Sequence, residues 1–264
     1  MTELEVRGHR LHVSRRKGRG VTLFTLCSSG VDLRQWGALL RAIPDRPAVG
    51  FNYLGYPPSD LWRGQGAPDI SIDAEAAERL LLQEPDPVDL VGHSYGGFLA
   101  LHLARKHPER VRRIVMHEAT AWGCLWASPN QGIRDEFADL LVRLLGDEEA
   151  TGRFPERFVD YWNVPGAWAA LPEERKAAWR VLAPKIQAEV DTLCYDKTRP
   201  EVYREVTHPV TMTVGRDTPA HQAEVCRILV EMLPNVRRVD VPGGHMGVIT
   251  HAAEVLPHLV AALL

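Results

Sequence analysis

The chain has 264 residues, 45% hydrophobic and 25% charged, with a net charge of −3 at pH 7. That length fits one large α/β domain or two small ones around a substantial core. The slight acidic excess leaves no basic footprint for nucleic acid, and no run of about 18 apolar residues is available to cross a membrane. The opening "MTELEVRGHRLHV" lacks an apolar core of signal-peptide length. Four cysteines (Cys27, Cys124, Cys194 and Cys226) are too scattered for a zinc or redox motif, so free thiols in a reducing, cytoplasmic setting are expected.

In chain order, "LEVRGHRLHV" (4–13) alternates like an edge hairpin, and "VTLFTL" (21–26) reads as a strand buried on both faces. "PAVGFN" (47–52) is a second short strand, and "SIDAEAAERLLLQ" (71–83) has helical spacing with Ser71 or Asp73 able to cap it. "PVDLVG" (87–92) is strand, "YGGFLALHLARKH" (95–107) helix, and "RRIVMH" (112–117) strand again. From residue 120 to about 206 the pattern is helical with no clear strand. "PVTMTVG" (209–215), "AHQAEVCRILVEML" (220–233), "VRRVDVP" (236–242) and a last helix from about Thr250 restore the alternation. Strands alternating with helices predict a mostly parallel sheet flanked by helices. The inserted stretch of residues 120–206 is too long for a loop and reads as a helical subdomain, leaving 1–119 and 207–264 as the core. The clusters "RRKGR" (15–19) and "GDEEA" (146–150) are read as solvated turns.

Chemistry is concentrated in "LVGHSYGG" (90–97), at the end of a predicted parallel strand, where open sheets bind ligands. Gly-X-Ser-X-Gly between strand and helix forces a tight, strained turn that exposes the Ser94 hydroxyl. Gly92 and Gly96 are required there because a Cβ would strike the neighbouring strand or helix. The turn also aims backbone N–H groups at the start of the helix toward the same point. A serine needs a base, and "VPGGHMGVITH" places His245 in a glycine-flanked loop after the last strand. His9, His102, His107, His208, His221 and His251 read as surface or element-end residues, His117 as core, and His93 as packing beneath the turn.

These stretches resemble the α/β-hydrolase family over nearly the whole chain. "GHSYGG" is similar to its nucleophile elbow and "GGHMG" to its histidine loop, with a helical cap inserted after strand 6. The resemblance therefore implies an α/β-hydrolase fold. "LCSSGVDLRQW" resembles the loop after the family's third strand, with Cys27 and Ser28 where His-Gly is commoner. By that match the backbone N–H groups of Ser29 and Tyr95 form the oxyanion hole, and Cys27 and Ser28 stand beside the substrate. The family most often places its acid after the seventh strand as Gly-X-X-Asp, but Thr218 has that spacing here and Asp217 comes one residue early. Some members, certain haloalkane dehalogenases among them, carry the acid after the sixth strand, where this chain has Glu118. Glu118 is favoured over Asp217, which takes the role if Glu118 is structural.

Five of the seven tryptophans lie in the inserted segment. Trp122, Trp126, Tyr161, Trp162 and Asn163 are the candidate pocket wall for a small hydrophobic substrate. No phosphate loop or metal-ligand spacing is present, so no cofactor is implied. The expected activity is hydrolysis of an ester, thioester or lactone through Ser94. The alternatives are a cofactor-free lyase, cyclase or oxygenase with His245 as base, and a non-catalytic binding protein of the same fold.

Overall fold

The computed structural model describes residues 2–62, 67–146 and 152–264. The alternating N-terminal stretch folds into an antiparallel hairpin, β1 (Thr2–Val6) and β2 (His9–Arg16), at the sheet edge. The apolar runs become β3 (Leu23–Leu26), β4 (Ala48–Phe51), β5 (Val88–His93), β6 (Val111–His117) and β7 (Val210–Gly215), and β8 (Val236–Val241) closes the other edge. The order is β1-β2-β4-β3-β5-β6-β7-β8. From β4 to β8 all neighbours pair parallel, and β2 meets β4 antiparallel. Every residue of β3, β4 and β5 is buried, as strands covered by helices on both faces require.

The helices are α1 (Gly37–Ala42), α2 (Ser71–Gln83), α3 (Tyr95–Lys106), α4 (Gln131–Leu145), α5 (Phe154–Trp162), α6 (Ala167–Ala170), α7 (Glu173–Tyr195), α8 (Ala220–Met232), α9 (Gly247–Thr250) and α10 (Ala252–Leu263). Between β6 and β7 the described residues form no strand: α4 to α7 lie there, framed by single-turn elements at Trp122–Ala127 and Pro200–Glu205. Among the described residues no helix is long and apolar enough to cross a membrane.

Several local expectations are corrected. Neither Ser71 nor Asp73 caps α2. Asp69 accepts from the Ser71 N–H, and Asp73 is fully buried, accepting from the Leu54 N–H at 2.9 Å. In "RRKGR", Arg15 and Arg16 belong to β2, and Arg16 fastens the α1 end by donating to the carbonyls of Leu40 and Ile43. Most of "GDEEA", residues 147–150, lies outside the described residues. All four cysteines are free and buried.

Register gathers the chemistry at one end. His93 of β5 pairs with His117 of β6, and His117 with Thr213 of β7. Ser94, Glu118 and the turn after Gly215 therefore leave adjacent parallel strands side by side. Val241 pairs with Gly215, which brings the His245 loop to the same rim.

Candidate active site

The turn at Ser94 has the strain its sequence predicts. Ser94 has φ 56° and ψ −119°, off the ordinary regions for a non-glycine residue, and is locked by donating its N–H to the His117 carbonyl at 3.1 Å. A Cβ on Gly92 would stand 2.5 Å from the Gly96 carbonyl oxygen, and one on Gly96 only 2.3 Å from that of Leu26. Both glycines are therefore required by close backbone approach, and α3 starts directly against the end of β3.

From this turn the Ser94 hydroxyl reaches His245 Nε2 at 2.9 Å, and His245 Nδ1 meets Glu118 Oε2 at 2.8 Å. A carboxylate only accepts, so Nδ1 carries the proton and Nε2 offers its lone pair to the serine. All three side chains are buried. Glu118, at φ 43°, is oriented by two further donors: the Gly215 N–H to Oε1 at 2.7 Å and the Thr218 hydroxyl to Oε2 at 2.6 Å. Burial pushes its carboxyl up, but the donors and the histidine charge nearby outweigh that and hold it at about 2, below the usual 4.5. Thr218 thus supports the Glu118 carboxylate through its hydroxyl. Asp217 is exposed and engages the His245 loop through its backbone N–H to the Gly243 carbonyl.

The loop after β3 is held from two sides. The Ser28 N–H donates to Gln35 Oε1, and the Gln35 amide donates to His93 Nδ1 at 2.8 Å. His93 Nε2 in turn donates to the His245 carbonyl at 2.8 Å. Burial, followed by the neighbouring histidines, pushes the His93 pKa well down and keeps the ring neutral, as this chain of bonds requires. On the other flank the Gly30 N–H donates to the Tyr56 hydroxyl at 2.8 Å, which donates to Glu189 of α7 at 2.9 Å. Glu189 and Asp73 share the buried Lys185 ammonium at 2.5 and 2.6 Å. The Ser29 N–H therefore lies between two pinned peptides, and neither it nor the Tyr95 N–H has a protein acceptor among the described residues. Tyr95 itself packs into the core against Tyr53, so only its backbone faces the site.

A cavity of about 40 Å³ adjoins Ser94 and His245. Of the candidate residues, Ser28, Ser29, Trp162 and Asn163 line it, and Val31, Phe158, Val159, Trp179 and Met246 complete it. The Trp162 ring lies 4.0 Å from that of His245, centroid to centroid. Phe158, Val159 and Trp162 share a face of α5 at helical spacing, a signal present in "RFVDYW".

The remaining candidates lie elsewhere. Cys27 is in the core, where burial pushes its thiol far up. Trp122 is buried behind Trp162, stacked at 6.0 Å, with its N–H on Gln222. Trp126 is 44% exposed and donates to the Cys194 carbonyl. Tyr161 lines a separate recess between α4 and α5 and bonds His221. His221, expected at the surface, is buried among the rings of Trp122, Phe137, Tyr161 and Trp162.

A family model described as the alpha/beta hydrolase family matches residues 20–258. The chain is similar to Lipase LipV of Mycobacterium tuberculosis, 37% identical over 84 residues, which are 31% of each protein. It is also similar to 2-hydroxymuconate semialdehyde hydrolase from Pseudomonas putida, 28% identical over 180 residues, 62% of this chain and 58% of that one. These matches span between about a third and three fifths of the relatives' length. Among solved structures, the enol-lactonase of Burkholderia xenovorans superposes with a TM-score of 0.71 at 17% identity over 99% of both chains. An esterase from Exiguobacterium antarcticum gives 0.73 at 17% identity over 97% and 96%. At such identities the likeness establishes the fold.

Proposed function

Because the chain belongs to the alpha/beta hydrolase family, we propose that it is a serine hydrolase that cleaves a small ester, thioester or lactone through an acyl-enzyme on Ser94. The observation that carries this reading is the 2.9 Å contact between the Ser94 hydroxyl and an imidazole whose other nitrogen is bound to Glu118. In this mechanism His245 takes the Ser94 proton as the oxygen attacks the substrate carbonyl. The N–H groups of Ser29 and Tyr95 receive the tetrahedral oxyanion, and Glu118 stabilises the imidazolium. The imidazolium protonates the leaving group, and water, activated by the same histidine, releases the acyl group. A cavity of about 40 Å³ between Trp162 and the oxyanion loop suits a short acyl group. The similar proteins, a lipase, a semialdehyde hydrolase, an enol-lactonase and an esterase by name, are compatible with it.

The test is a panel of p-nitrophenyl esters of increasing acyl length together with simple lactones, with the Ser94→Ala protein as blank. Turnover of short acyl esters above the blank is expected; equal rates in both proteins on every substrate contradict the reading.

The pinned oxyanion loop makes a second expectation. Tyr56→Phe removes the acceptor of the Gly30 N–H and a donor to Glu189. It is expected to lower kcat about tenfold, less than outright loss of an oxyanion donor, with KM little changed. A lower melting temperature with unchanged kcat at assay temperature would make Tyr56 purely structural.

A further inference from the structure

The small cavity at Ser94 adjoins a much larger groove of about 580 Å³, and the two share Val31 and Trp179 as walls. That volume is in the range of small-molecule sites. Trp179 rests on the oxyanion loop, its ring 2.5 Å from where a Cβ of Gly30 would stand. This half-buried tryptophan is a wall common to cavity and groove. The recess between α4 and α5 shares no wall residue with the catalytic cavity.

The groove is cationic. Its charged walls are Asp32, Arg34, Arg41 and Arg175. Arg34 is spent on Asp32 through contacts of 2.7 to 2.9 Å. Arg41 of α1 and Arg175 of α7 form no close ion pair with a described carboxylate, the Arg175 charge acting on Asp32 only from farther off, and both are exposed. Arg175 lies one helical turn before Trp179, on the same face of α7. Counting Asp32 against the three arginines leaves two positive charges beside a floor of Val31, Tyr56, Leu182 and Val248. Guanidinium groups with open donors are suited to carboxylate or phosphate oxygens.

We propose that this groove receives the leaving-group portion of the substrate, and that this portion is anionic: a short acyl ester or thioester whose alcohol or thiol carries a carboxylate or phosphate that Arg41 and Arg175 bind. The assignment rests on the hydrolase reading of Ser94. The acyl group fits the inner cavity, while the bulkier partner lies past Val31 and Trp179.

Three matched acetyl esters test it: 4-acetoxybenzoate, 4-acetoxyphenyl phosphate and neutral methyl 4-acetoxybenzoate. The ratio of kcat/KM for each anionic ester to that for the neutral one is compared between the native protein and Arg41→Gln/Arg175→Gln. At least one ratio is expected to fall about tenfold in the double variant, and with added salt in the native protein. The ester whose ratio falls further identifies the anion. Ratios equal in both proteins overturn the proposal. Binding is read separately by calorimetry of 4-acetoxybenzoate and 4-acetoxyphenyl phosphate with the Ser94→Ala protein, with and without the two arginine changes. If no ester is turned over but an anion binds and the arginine changes weaken it about tenfold, the hydrolase reading fails and the anion groove stands. No arginine-dependent binding in that protein overturns the groove whatever the catalytic result.

Discussion

Ser94→Ala is expected to reduce ester turnover by a factor on the order of 10⁴ or more while leaving the fold intact. Among the described residues the hydroxyl's polar contact is to His245, so its removal strips the nucleophile and leaves unpartnered only an imidazole nitrogen on the cavity wall. The strain at φ 56° belongs to the backbone and is held by bonds from Ser94 N–H to the His117 carbonyl and from the Phe98 and Thr120 N–H groups to the Ser94 carbonyl. Alanine leaves all of these in place. The check pairs kcat with the urea midpoint: turnover falls and the midpoint stays. A variant that keeps more than a few per cent of native turnover would remove Ser94 from the reaction.

Glu118→Gln is the second large effect, with kcat expected to fall on the order of 10³- to 10⁴-fold. The Gly215 N–H requires an acceptor at one side-chain position, so the new amide turns its oxygen there and its NH₂ toward His245 Nδ1. That NH₂ donates to Nδ1, which moves the imidazole proton to Nε2, where it faces the Ser94 hydroxyl and blocks proton abstraction. Asp217→Asn, by contrast, is expected to leave kcat within about twofold, since Asp217 is exposed and the imidazole Nδ1 is bonded to Glu118 instead; such surface changes are typically small. The reverse pattern in the two variants would transfer the acid's role to Asp217. The native carboxyl titrates near 2, so protonation of Glu118 does not set an acid limb of activity in the ordinary assay range. Its folded pKa lies below its ordinary value of 4.5, so its pairing contributes stability fully above pH 4.5 and loses it as pH falls through about 2. The glutamine variant lacks that acid dependence.

The strands of the sheet were legible because a parallel strand covered on both faces must be apolar throughout, and "VTLFTL" and "PVDLVG" are nearly so. Ser94 was legible because two glycines at that spacing serve a specific close approach, seen in the 2.3 Å that a Gly96 Cβ would leave to the Leu26 carbonyl. The place of Glu118 at a strand end was legible, and the register sets it beside Gly215, whose N–H it accepts. What stayed hidden was whatever depends on distant partners. Glu189 lies 133 residues from Tyr56, and Lys185 lies 112 from Asp73, with no local pattern linking them. Asp73 reads locally as a first-turn acid, the usual place for a helix cap, until Lys185 draws it into the core. His221 resembles a surface histidine because α8 starts at the rim, and only the packed rings of the inserted segment bury it. The pocket wall was half legible for the same reason: helical spacing marks Phe158 and Trp162 as sharing a face, but not which cavity that face closes.

The central claim is that Ser94 is a nucleophile activated by His245, and reaction with a fluorophosphonate, followed by peptide mapping, tests it most directly. The native protein is expected to gain one phosphonyl group, on Ser94, with none on the Ser94→Ala protein and much slower addition on Glu118→Gln. A folded native protein that stays unlabelled, or takes the group on another serine, would contradict the account.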